Sequence, residues 1–196
     1  MKKSFTLVIA LLSCLFLKAQ DNTAPFQNGT NVVSAGIGFG STYFGYAYGS
    51  SSPAISLQYE RGVYTIDEIP AVISIGGYLG VQSFKYTYHY NSSGYYYKEQ
   101  WSYKIIGLRG AFHYNGLNQD KIDVYAGLML GYYINSYKFE TNYYGNTAYN
   151  GTNNYANSFG LAGYVGGRYF FTPNFGAFAE LGYGISYVTI GVDGKF

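Results

Sequence analysis

Apolar and polar positions alternate with period two along most of the chain beyond residue 30, the spacing that sends successive side chains to opposite faces of a β-strand. Over 32–40, Val33, Ala35, Ile37 and Phe39 interleave with Ser34 and glycines. Over 54–61, Ile55, Leu57 and Tyr59 alternate with Ser56, Gln58 and Glu60. Over 72–84, Ile73, Ile75, Leu79 and Val81 alternate with Ser74, Gly76, Gly80 and Gln82. The second half repeats the pattern with Ile106, Leu108 and Phe112, then Val124, Ala126, Leu128 and Leu130, then Phe159, Leu161 and Val165. Two more runs, Phe175 to Leu181 and Val188 to Phe196, bring the count to eight strands.

A β-sandwich shares this period, but its polar face meets bulk water and carries Lys, Glu and Thr. Here that face is mostly Gly and Tyr with isolated charges, as the inside of a narrow closed barrel requires. Connections near 62–70, 115–121 and 172–174 are short or moderate. Those near 41–53, 85–101 and 136–157 are longer and rich in Tyr, Asn, Gly and Ser. The connection at 184–187 is short although it falls on the long-loop side. The pattern predicts an all-β fold: a closed antiparallel eight-stranded transmembrane β-barrel, an up-and-down meander with short periplasmic turns and longer extracellular loops.

Composition sharpens this picture. Charged residues are 11% and aromatics 21% of 196 residues, with 26 Tyr and 27 Gly. So few charges argue against a soluble surface, and so much Gly and Tyr argues against a helical bundle. Lys2 and Lys3 precede an apolar run from Phe5 to Leu17, too short to span a bilayer as a helix, and Lys18-Ala19-Gln20 supplies a small-residue boundary. Residues 1–20 therefore read as a secretory signal and 21–196 as the barrel domain. A competing cut before Cys14, in a lipoprotein-like Leu11-Leu12-Ser13-Cys14, would strand Leu15-Phe16-Leu17 after the cleavage. Cys14 is the single cysteine, so disulfides and thiolate sites are excluded from the mature chain. Losing Lys2, Lys3 and Lys18 leaves nine basic against ten acidic residues, with no basic stripe for nucleic acid.

The last strand, Thr189-Ile190-Gly191-Val192-Asp193-Gly194-Lys195-Phe196, resembles the closing strand of outer-membrane barrels. Thr189, Gly191 and Phe196 match its polar, glycine and terminal-aromatic positions, and Gly194 departs where a hydrophobic residue is usual. The chain is similar to small OmpA/OmpX-type barrels. That resemblance implies a bacterial outer-membrane location, outer-membrane lipid as surroundings and the barrel-insertion machinery as a partner that reads the terminal aromatic. It implies no single activity.

Parity directs Glu60, Arg109, Arg168, Glu180 and Asp193 into the lumen, in the periplasmic half, where buried charges need partners. The tight turn at 172–174 sets Arg168 and Glu180 on adjacent strands, so the two are expected to pair. Tyr125, Tyr133, Tyr164, Phe170 and Phe178 also point inward and leave no wide pore. His89 and His113 are the only histidines. His113 lies near the short-turn rim, away from where an external lipid substrate would enter, and His89 sits in a Tyr-rich loop beside Ser92 and Ser93 with no acid spaced to orient it. With no carboxylate cluster neighbouring either histidine, no catalytic set and no metal or cofactor site is expected. Gly36-Ile37-Gly38-Phe39-Gly40 lacks nucleotide-motif spacing and has no following helix. The Tyr-rich loops, with Tyr88, Tyr95, Tyr96 and Tyr97 in one and Tyr143 and Tyr144 in another, offer contact area for an extracellular ligand. The preferred reading is an aromatic girdle on strands that continue above the membrane, because Tyr86, Tyr88 and Tyr90 keep the alternation. The expected function is non-enzymatic, structural or surface-interacting; the alternative is a barrel enzyme acting on lipid or peptide at the outer surface.

Overall fold

A computed structural model describes residues 24–40, 50–89, 95–142 and 151–196, with the backbone alone for 151–156. The predicted signal segment, Tyr143 and Tyr144 lie outside the described residues. The strands are β1 (Asn31–Phe39), β2 (Ser50–Ser51), β3 (Ala54–Ile66), β4 (Ala71–His89), β5 (Tyr96–Tyr114), β6 (Ile122–Thr141), β7 (Gly151–Phe170), β8 (Phe175–Gly182) and β9 (Val188–Lys195). All pairings are antiparallel; β1 pairs with β3, each strand from β3 to β9 pairs with the next, and β1 pairs also with β9, Ile37 opposite Ile190. The ring is thereby closed: eight strands form the wall, and β2 adds two residues against β4.

Eight strands fall where the alternation places them, but five run further than expected: β3 continues to Ile66, into the connection expected at 62–70, and β4 to β7 lengthen toward the other end. β4 to β7 rise beyond the rest of the ring as a paired flange, Lys85 opposite Gln100 and Gln100 opposite Lys138. Much of 85–101 and 136–157, expected as loop, is strand. Alternation persists there with a changed code. Phe84, Tyr86, Trp101 and Tyr137 are half-buried on the inward positions, while Lys85, Lys104 and Lys138 are exposed on the outward ones.

The wall is inside out relative to a water-soluble domain. Ile37, Leu57, Ile75, Leu79, Leu108, Leu128, Leu161 and Ile190 all face outward and exposed, Leu108 at 72%. Tyr59, Tyr64, Tyr114, Tyr169, Phe171 and Phe175 ring the short-turn end of this band, and Phe39, Phe159, Tyr183 and Tyr187 the other. Two aromatic girdles around an apolar band are the mark of a lipid-facing wall. The turn at 172–174 is held by Thr172, whose hydroxyl accepts from the Phe175 amide at 3.0 Å.

Both mouths are stoppered. At the short-turn end, residues ahead of β1 fold across the opening, burying Phe26 completely with Val32 and Val72. Asn115 Nδ2 donates to the Phe26 carbonyl at 2.9 Å and Lys195 Nζ to the Pro25 carbonyl at 3.1 Å. The segment is strapped to β3 by Gly29 N–H to Gly62 O (2.9 Å) and Gly62 N–H to Thr30 O (3.0 Å), at an irregularity in the β3–β4 register. Gly62 is required there, since a Cβ would lie 2.1 Å from the Gln27 carbonyl oxygen. At the flange end the 183–187 connection turns inward and buries Ile185 among Tyr78, Ile105, Met129 and Ala54.

Candidate functional site in the barrel lumen

Between the two stoppers the inward positions of all eight wall strands meet in two polar layers. The layer beneath Phe26 centres on Arg168 of β7. Its guanidinium bonds Glu60 of β3, reaches Asp123 Oδ2 of β6 at 3.0 Å, and lies 3.5 Å from Asp193 Oδ2 of β9. Ser34 of β1 donates to Asp193. His113 of β5 links the acids: Nδ1 is 2.9 Å from Asp123 Oδ1, and Nε2 is 3.0 Å from both Glu60 Oε1 and Ser74 Oγ of β4. Ser74 Oγ itself donates to Glu60 Oε1 at 2.6 Å. The Phe26 ring stacks on the imidazole at 3.7 Å, nearly parallel.

The second layer lies toward the flange. Arg109 of β5 bonds Glu180 of β8, Nη2 to Oε2 at 2.8 Å. Tyr125 Oη donates to the same carboxylate at 3.2 Å, and Arg109 Nε donates to Tyr164 Oη at 3.1 Å. The rings serve as floors for the guanidiniums, Arg109 3.9 Å from the Tyr164 centroid and Arg168 4.3 Å from that of Tyr125. Charges taken out of water persist only when paired and hydrogen-bonded, and each arginine here has both kinds of partner.

The structure brings Glu60, Arg109, Arg168, Glu180 and Asp193 together inside the wall, all buried. One expected pairing is corrected. Arg168 does not pair with Glu180; the β7–β8 register sets Phe178 opposite Arg168, and Glu180 turns to Arg109 across the lumen. Asp123 and His113, which sequence reasoning left out of the network, are central to it. Both sit on inward parity in their strands, the one signal that could have included them. The expectation that His113 lacks neighbouring carboxylates is likewise overturned.

Ser74, His113 and Asp123 also have the order of a hydrolytic triad, hydroxyl to Nε2 and Nδ1 to carboxylate. All three are fully buried, and Glu60 already accepts the Ser74 proton. The arrangement therefore holds a closed hydrogen-bond circuit, with Phe26 where a substrate would approach. A cavity of about 20 Å³, lined by Tyr78, Arg109, Met129, Tyr164 and Glu180, is room for one water. Among the described residues no group of three His, Cys, Asp or Glu is placed to hold a metal ion.

Of the tyrosines expected in loops, Tyr88 stands on β4 and stacks on Tyr97 of β5 at 5.3 Å, Tyr96 opens β5, and Tyr95 precedes it. At the closing strand, Thr189 is buried and shares a hydrogen bond with Ser186 (2.9 Å), while Gly191 packs against Gly36 and Phe178. Phe196 exchanges two backbone bonds with Asn31, both 3.0 Å.

A closed antiparallel eight-stranded ring with an apolar exterior and an ionic interior defines the class: a small closed β-barrel with the polarity of a membrane wall. No family model matches the chain, and no curated protein does. Among solved structures it is similar to Ail, the attachment invasion locus protein of Yersinia pestis, in complex with the heparin analogue sucrose octasulfate. The TM-score is 0.47 at 13% identity, over 87% of this chain and 100% of that one. It is similar also to Neisserial surface protein A, with TM-score 0.41 and 16% identity over 85% of this chain and 95% of that one.

Proposed function

We propose that the protein is a non-enzymatic barrel of the bacterial outer membrane, exported by a cleaved signal at 1–20, with a structural or surface-interaction role. The observation that carries this is the reversed polarity of the closed wall. Outward leucines and isoleucines between two aromatic girdles have no covering layer among the described residues, and lipid is the solvent that suits them. A lumen crossed by two ionic layers and stoppered by Phe26 and Ile185 suits a rigid post better than a conduit. The upper flange, with Tyr88, Tyr95, Tyr96 and Tyr97, would present the surface to an extracellular ligand. Thr189, Gly191 and Phe196 would be read by the insertion machinery.

The test is fractionation and reconstitution. The protein should partition with outer membranes, need detergent to stay monodisperse, and show no large steady conductance in planar bilayers. A folded monomer recovered from periplasm without detergent would refute the membrane reading, and a stable wide-pore conductance would refute the filled lumen. The alternative of an enzyme would draw on the triad-like order of Ser74, His113 and Asp123. A fluorophosphonate probe distinguishes the two: labelling of Ser74 in the folded barrel would make the circuit catalytic, and its burial predicts none.

A further inference from the structure

The nine basic residues beyond residue 20 are sorted by place. Arg109 and Arg168 are in the lumen, Lys195 is tied to Pro25, and Arg61 and Lys121 sit toward the short turns with Asp67, Glu68 and Asp120. The other four, Lys85, Lys98, Lys104 and Lys138, occupy outward positions of the β4–β5–β6 flange. The connecting stretches at that end, 40–53, 90–95, 142–157 and 183–187, contain no charged residue. Two acids accompany the lysines. Glu99 faces inward and accepts from Tyr137 Oη at 2.8 Å, and Glu140 is spent on Lys98 at 3.5 Å. Lys85, Lys104 and Lys138 are exposed and have no ion-pair partner among the described residues.

Their height on the wall matters as much as their sign. Tyr114, in the lower girdle, and Lys104 lie on one face of β5 ten residues apart. That is about 33 Å along a strand, or about 25 Å along the axis at the usual tilt, the thickness of the apolar band of such barrels. Lys104 thus stands at the outer edge of the band, beyond Ile106 on the same face. Ser83, Ser102 and Ser136 form the next outward row, and Lys85, Gln100 and Lys138 the row above it. A ladder of lysine, serine and lysine continues the lipid-facing surface into the headgroup layer, on the side of the wall and not on its loops.

We propose that this face binds phosphate-bearing lipid headgroups of the outer leaflet, Lys104 at the interface and Lys85 with Lys138 above it. The inference rests on the membrane reading above. Lysines held near an anionic leaflet each contribute about a fivefold gain in binding, and serine hydroxyls can donate to phosphate oxygens between them.

The test uses the full folded chain in neutral zwitterionic micelles, titrated with fluorescent diphosphorylated lipid A. Wild type should bind it in a salt-sensitive manner, and the variant with Lys85→Gln, Lys104→Gln and Lys138→Gln should bind more than tenfold more weakly. Arg61→Gln with Lys121→Gln, on the opposite rim, should bind as wild type does. Folding of each variant is checked by circular dichroism and heat-dependent gel mobility. Lipid A binding unchanged within twofold in the triple variant would overturn the proposal, as would equal binding of dephosphorylated lipid A. Displacement of lipid A by a soluble sulfated glycan at matching affinity would overturn the choice of lipid as occupant. A barrel that inserts into neutral vesicles yet shows no lipid A preference would refute this inference alone. Failure to insert into any vesicle would refute the membrane reading beneath it.

Discussion

Replacing Arg168 by alanine is the perturbation that most directly probes the lumen. The guanidinium is fully buried and bonds Glu60 and Asp123, with Asp193 3.5 Å away. Removing it leaves three carboxylates facing one another across a narrow space, with His113 between two of them. Breaking one buried pair by deleting a partner costs about 3–5 kcal/mol. At about 1.4 kcal/mol per tenfold change, the folding equilibrium should fall by about two to three and a half orders of magnitude. The comparison is Lys98→Ala, which breaks only a half-exposed pair with Glu140, worth about 0–1 kcal/mol. Urea unfolding in detergent, followed by Trp101 fluorescence and by gel mobility, reads both. Adding Glu60→Gln to Arg168→Ala should recover part of the loss, because one stranded charge disappears. Adding Glu180→Gln should recover none, since Glu180 answers to Arg109. Equal midpoint shifts for Arg168→Ala and Lys98→Ala, or rescue by Glu180→Gln alone, would refute the assignment.

Three further outcomes are expected. Phe26→Ala should cost about 3–5 kcal/mol in the same urea assay, since it empties a fully buried site and uncovers His113. Gly191→Ala should impair refolding in detergent with no insertion machinery present, because its Cβ would lie 2.1 Å from the Ala35 carbonyl oxygen; normal refolding with poor assembly in cells would instead make Gly191 part of a recognition signal. Deleting Phe196 should lower the assembled amount in cells while leaving export intact, as seen by immunoblotting of fractions.

The wall was readable because lipid and lumen impose opposite demands on successive residues, so Ile75, Leu128 and Ile190 declare the outside and Glu60, Arg109 and Glu180 the inside. Strand length was less readable. Above the band the outward positions turn from leucine to lysine and serine while the inward ones turn aromatic, so an alternation of apolar with polar looks broken although the pairing continues. Two partners of Arg168 were hidden for another reason. Parity and a hairpin turn constrain neighbours on adjacent strands, as with Asp123 directly opposite it, but Asp193 lies two strands along the ring and Glu60 four, 108 residues away in the chain. Residues 24–30 have no period at all, and nothing local marks Phe26 as the stopper over His113.

The β1–β9 seam has a kinetic consequence. Every other junction of the wall joins strands that follow closely in sequence, but the bonds between Asn31 and Phe196 span 165 residues. Loop-closure entropy delays such a contact relative to the hairpins, and rates fall as the mean separation of contacts rises. Until the seam forms, β1 and β9 are open edges able to pair with another chain. The stopper must come later still, because Pro25 is gripped by Lys195 and the segment is strapped to β3, partners that converge only once the ring has closed. The slowest folding step should therefore be seam closure, and intermediates that wait there should be the ones prone to aggregate.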